Sequence, residues 1–241
     1  MRKRSENPTG TWLASLVVLL VLQFALKENS RADHHENPVC PDQPRVEVFG
    51  ADSETVRLVC LFAGRALAEL ELYGLPLKQG IIIDMVEVSI DNHGYIAYGS
   101  YDSRIDRIRL MSPAAIQEGV SSPQVYDEPF DDIHYGGAVA HEVAHAVVQQ
   151  HLQVRPLSPT PQEYLAHAIQ LAVLPAERRQ RIIERANVEA WESGDTLADA
   201  YMAINQTGFA VKSYLHLTGL ADPAAFVQYL LRARWFVTSI P

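Results

Sequence analysis

Residues 138–148 read Ala-Val-Ala-His-Glu-Val-Ala-His-Ala-Val-Val. Within them, His141-Glu142-Val143-Ala144-His145 is an H-E-x-x-H pattern. Chance gives about 0.02 matches to it in a chain of this length and His and Glu content. Nearly every neighbour from Gly136 to Val148 is apolar or small, which predicts a helix over roughly 135–152, buried on most sides. On a helix the two histidines lie one turn and about 40° apart, so both imidazoles can reach one ion. Two neutral imidazoles suit Zn²⁺. Glu142 stands beside them, where a carboxylate can take a proton from a metal-activated water. The alternative is a pair of core histidines satisfied by ordinary hydrogen bonds.

A catalytic zinc site needs a third protein ligand and an open position. His151 stands at the third-His position of H-E-x-x-H-x-x-G-x-x-H, but Val148 occupies the place of the turning Gly. A β-branched residue resists the positive φ needed there. If the helix continues, His151 points about 120° away from His145. Glu163 is the stronger candidate. It opens the next helix, and Glu163, His167 and Gln170 form an i, i+4, i+7 polar stripe on an otherwise apolar segment. Such a stripe suits a carboxylate ligand with His167 and Gln170 as supporting groups. The competing reading is an N-terminal Glu favoured by the helix dipole.

Outward from this segment the pattern is α+β. Residues 33–45 read as an exposed lead-in, Arg45–Phe49 as a short strand, and the stretch from Ser53 as a helix capped by Asp52 or Ser53 and ended by Gly74 and Pro76. Strands follow at Ile81–Ile83, Met85–Ile90, from Tyr95, and at Arg107–Met111. Residues 112–132 read as a loop. Helices are expected at roughly 161–173, 175–187, 196–217 and 222–235. Residues 33–241 thus form one domain, with a sheet-containing part (33–112) and a helical part (113–241).

His141-Glu142-x-x-His145 followed by a Glu-bearing helix resembles the gluzincin branch of the zincin-like metallopeptidases. The specific resemblance covers residues 136–170; the element order around them is also similar, and the layout resembles that of an uncharacterised exported bacterial family. Gln162 stands where thermolysin-like enzymes carry Asn. The resemblance implies His141, His145 and Glu163 as ligands of one zinc ion and Glu142 as general base. It implies a metallopeptidase acting on peptide or protein substrates, with Tyr95–Tyr101 as a strand along which an extended peptide docks. Tyr201, Tyr214 and His216 are weaker candidates for stabilising an oxyanion, and His134 shares the face of His141 only if its helix starts early. The competing function is a non-catalytic zincin-like domain with a structural metal or a binding role.

The rest of the chain places this domain outside the cytoplasm. Arg2, Lys3 and Arg4 precede an apolar run from Leu13 to Leu26, and Ser30-Arg31-Ala32 offers small residues around a cleavage point. Residues 1–32 therefore read as a signal peptide, with a periplasmic or extracellular product, or a membrane-anchored one if the segment is retained. Cys40 and Cys60 are the chain's 2 cysteines, and in an oxidising compartment they are expected to form a disulfide. The net charge of −9 lacks the basic stripe that nucleic acid requires. Removal of the mostly basic leader makes the product more acidic still, which argues against adhesion to anionic lipid.

Overall fold

A computed structural model describes residues 38–92, 94–152, 159–232 and 237–241. The leader expected over residues 1–32 lies outside the described residues. In chain order the first part runs β1 (Val39–Cys40), β2 (Gln43–Phe49), α1 (Ser53–Leu72), β3 (Ile81–Val86), the short hairpin of β4 (Ile90–Asn92) and β5 (Tyr95–Ala97), β6 (Gly99–Asp102) and β7 (Arg107–Met111). Five of these strands form one sheet in the order β1-β2-β3-β7-β6. The three central strands are parallel, while β1 and β6 pair antiparallel at the edges. The parallel step from β2 to β3 uses α1 as its crossover. Asp52 caps α1, accepting from the backbone N–H groups of Glu54 and Thr55 at 2.9 Å, and Gly74 follows its end at a φ of +77°.

The second part is mainly helical: α2 (Pro113–Gly119), a hairpin of β8 (Gln124–Val125) and β9 (Glu128–Pro129), α3 (Asp132–His151), α4 (Pro159–Ala172) and α5 (Ala176–Ala186). Then come β10 (Thr196–Ala198), α6 (Asp199–Ile204), α7 (Gln206–Gly219), α8 (Pro223–Leu230) and β11 (Val237–Ser239). The architecture is α+β, with the sheet in the N-terminal part and helices after it. Val46, Val48, Ile81, Ile83, Met85, Ile108 and Leu110 bury the alternate positions of β2, β3 and β7. α1 packs on β1 and β2, α3 packs on β6 and β7, and the two helices contact each other. α4 lies against α3, and α7 against α4.

Four expectations are corrected. α3 begins at Asp132, not 135, and runs through Gly136-Gly137, because Asp131 caps it by accepting from the His134 N–H at 3.0 Å. Gly136 is there for packing: a Cβ would stand 2.2 Å from the Phe62 ring of α1. The segment 112–132 contains α2, capped by Ser112 Oγ, and the β8–β9 hairpin. The single helix expected over 196–217 is split. Thr196–Ala198 pairs with β11, and Asn205 restarts the chain as α7 by accepting from the Gly208 N–H. The lead-in is not wholly exposed, since Cys40 is buried in β1 and bonded to Cys60 of α1, with 5.3 Å between the Cα atoms. The bridge spans a sequence separation of 20, and closing a loop of that size stabilises the fold by about 3 kcal/mol. Among the described residues, no helix is long and apolar enough to cross a membrane.

Candidate metal centre

α3 and α4 meet so that the H-E-x-x-H turn of one faces the first turns of the other. His145 Nε2 lies 3.0 Å from His141 Nε2, Glu163 Oε2 is 3.3 Å from His141 Nε2, and Glu163 Oε1 is 3.5 Å from His145 Nε2. One donor atom from each of the three residues falls within 4.8 Å of the others. A tetrahedral zinc ion with bonds of about 2.05 Å sets its ligands about 3.3 Å apart, so this donor set fits the ion in both chemistry and spacing. The three side chains are 13–25% exposed and open into a cleft of about 750 Å³, where a non-protein ligand has access.

Gln170, one turn beyond His167 on α4, accepts from His141 Nδ1–H at 3.0 Å. That hydrogen bond fixes the tautomer of His141 and leaves its Nε2 lone pair facing the cluster. His167 stands beside the three donors without joining them. Its Nε2 is 3.8 Å from Glu163 Oε2, its ring centroid is 4.7 Å from that of His141, and its Nδ1 meets the Tyr126 hydroxyl at 2.8 Å. His151 is directed elsewhere. α3 continues through buried Val148, and His151 Nε2–H donates to the Pro76 carbonyl at 2.7 Å. The helix-to-helix geometry thus separates the two third-ligand candidates and brings Glu163 to the histidine pair.

Glu142 is buried between α3 and the edge strand β6. The backbone N–H of Tyr101 donates to its carboxylate. Gly99 makes the room: in the sheet it is in register with Leu110, and a Cβ there would stand 2.6 Å from Glu142 Cγ. Burial, opposed by His141 and reinforced by Glu163, pushes the Glu142 carboxyl up to about 7. Glu163 moves the other way, for although burial opposes its charge, His145 and His141 hold it well below the usual carboxylate range. The two carboxyl groups are thereby shifted in opposite directions by their surroundings.

The weaker candidates do not reach the cleft. Tyr201 packs on Trp191, Tyr214 lies under the Arg179 guanidinium, and His216 Nδ1 meets the Tyr164 hydroxyl at 2.6 Å. His134 does sit on α3, but it is fully buried, with Nε2 3.2 Å from Glu128. Gly99, Tyr98 and Tyr101 of the Tyr95–Tyr101 stretch line the cleft. Sequence reasoning missed Gly99 and Tyr126. Tyr126 and Asp127 are the two loop residues of the β8–β9 hairpin, both in the left-handed region at φ +54° and +59°. Such a turn favours Asn-Gly, so Tyr-Asp carries no signal of it.

No curated protein and no solved structure gives a significant match to the chain. Residues 46–239, which include β2 through β11 of the fold apart from the start of β2 and the entire His141, Glu142, His145 and Glu163 set, match the family of unknown function DUF6639, and the chain belongs to that family.

Proposed function

We propose that this protein is a zinc-dependent hydrolase, a peptidase of zincin-like, gluzincin type, exported from the cell. The observation that carries the reading is the convergence of His141 Nε2, His145 Nε2 and the Glu163 carboxylate at an open cleft, with Glu142 buried beside them. His141, His145 and Glu163 would hold the ion. When bound, zinc supplies the Lewis acidity that polarises a carbonyl and makes water nucleophilic near neutral pH. Glu142 accepts the proton of the attacking water at a carboxylate oxygen and passes it to the leaving nitrogen. Gly99 and the Tyr101 N–H keep that carboxylate in place.

The edge strand β6 supports a peptide as the substrate. Among the described residues it pairs in the sheet with β7 alone, and Gly99–Tyr101 line the cleft, so an extended chain can lie along it and exchange main-chain hydrogen bonds. The Cys40–Cys60 disulfide supports an oxidising compartment, as the leader-like N-terminus does. The competing structural-metal reading needs a fourth protein ligand. His167 is near enough to be considered, and it stands outside the cluster of donors.

A peptide library incubated with wild type and with Glu142→Gln tests the reading. Wild type is expected to cleave, and the variant to hold zinc while losing about 10²–10⁴ in kcat. Retained cleavage in a zinc-loaded Glu142→Gln variant would remove Glu142 from the mechanism.

A further inference from the structure

His167 raises a question of ligand number. An imidazole with its lone pair on Nε2, 3.8 Å from Glu163 Oε2, would offer a fourth protein ligand at the side of the cluster. A site with four protein ligands is closed to water and substrate. Which ring nitrogen carries the hydrogen is set by what the other one meets. Here Nδ1 meets the Tyr126 hydroxyl at 2.8 Å. Tyr126 is 5% exposed, and among the described residues its hydroxyl has no hydrogen-bond partner besides this nitrogen. A buried hydroxyl must place its hydrogen on an acceptor. Tyr126 therefore donates, Nδ1 accepts, and the hydrogen of the ring resides on Nε2. A doubly protonated ring would leave the phenol hydrogen without an acceptor.

We propose that Tyr126 is a positioning residue that locks His167 in the Nε2–H tautomer, which bars the ring from the metal and turns it into a hydrogen-bond donor beside Glu163. This deepens the metal-site reading above and rests on it. With hydrogen on Nε2, no lone pair of His167 faces the cluster, and the ion keeps the open position that hydrolysis requires. The hairpin that carries Tyr126 is built for this placement. Its two loop residues both occupy the left-handed region, which side-chain-bearing residues avoid. Three elements hold it there. Arg185 of α5 donates to the Asp127 carbonyl at 2.9 Å, and Thr207 of α7 donates to Asp127 Oδ2 at 2.7 Å. The Tyr98 hydroxyl, at the edge of the sheet, accepts from Gln124 N–H at 3.2 Å and meets its carbonyl at 3.3 Å. A turn strained at two residues and anchored from three sides sets a phenol under α4 with its hydroxyl on one imidazole nitrogen.

Two measurements on the full chain test the proposal. Long-range ¹H–¹⁵N spectra report the tautomer of His167 directly. Wild type is expected to show Nε2–H, and Tyr126→Phe to lose that preference. Co²⁺ added to each protein then reports the ligand set. The wild-type absorption spectrum is expected to change when a hydroxamate is added, which requires an exchangeable position. In Tyr126→Phe the hydroxamate response should be lost, and chelator removal of Co²⁺ should slow about tenfold as His167 joins the site. An Nδ1–H ring in wild type, or identical Co²⁺ behaviour in the two proteins, overturns the proposal and leaves the metal reading standing. Failure of both proteins to bind Co²⁺ overturns the metal reading, and the proposal with it.

Discussion

A Cβ on Gly99 would stand 2.6 Å from Glu142 Cγ and 2.8 Å from Leu110 Cδ2, inside the distance that carbon atoms tolerate. Leu110 belongs to the buried face of β7, so the carboxylate side chain must yield. Gly99→Ala is therefore expected to lower kcat by about 10²-fold through a displaced base while leaving zinc content unchanged. Unaltered kcat in the Gly99→Ala protein would show that Glu142 does not need this position. Residues of the site differ in how far the sequence exposes them. Glu163, His167 and Gln170 are legible together because a helix returns the same face every three to four residues. Gly99 and Tyr126 are not, since each reaches the site from a strand or turn that only tertiary packing brings near. A glycine at a sheet edge and a tyrosine in a turn look the same in sequence whether or not they touch a catalytic group.

At the scale of elements, the α1–α3 contact depends on the absence of a side chain at Gly136. An added Cβ would enter the Phe62 ring at 2.2 Å, so the helices must separate or the ring must leave its rotamer. Gly136→Ala is expected to cost about 1–3 kcal/mol of stability in urea unfolding, and Phe62→Leu in the same chain to return part of it. Additive losses from the two substitutions would show that they do not share this contact. The same pair of glycines reads in sequence as a helix break, because propensity sees the missing Cβ and cannot see the neighbour that requires it. The split of the 196–217 segment has the same origin: its apolar spacing is helical, but Thr196–Ala198 finds a strand partner in Val237–Ser239. Strand and helix boundaries set by local signals, such as Asp52 before α1 and Gly74 after it, were readable directly.

At the scale of the whole molecule, acid sensitivity follows from buried histidines outside the proposed ligand set. Burial, opposed by the Glu128 hydrogen bond and Asp131, lowers the pKa of His134, and the nearby Arg178 lowers it further; burial alone lowers that of His216. The unfolded chain therefore takes up these protons at a higher pH than the folded one does. Their contribution is fully present above the unfolded value of about 6.5 and is lost as pH falls toward the folded values. Tm is expected to drop between about pH 7.5 and about 5.5, and to drop less in His134→Gln. An equal drop in the variant would assign the effect to other groups. The fold class itself was open to inspection in the sequence, because periods of two give way to periods near 3.6 along the chain. The pairing of the sheet, with β6 returning to the outer edge beside α3, was not, since strand order is a long-range property.

The proposed metal site joins α3 to α4 through Glu163 and not through His151. Elemental analysis of the purified protein, as wild type, Glu163→Ala and His151→Ala, decides between them. About one zinc per chain is expected in wild type and in His151→Ala, with zinc lost from Glu163→Ala. A well-folded wild type without zinc, or zinc retained in Glu163→Ala and lost from His151→Ala, would contradict the site described above.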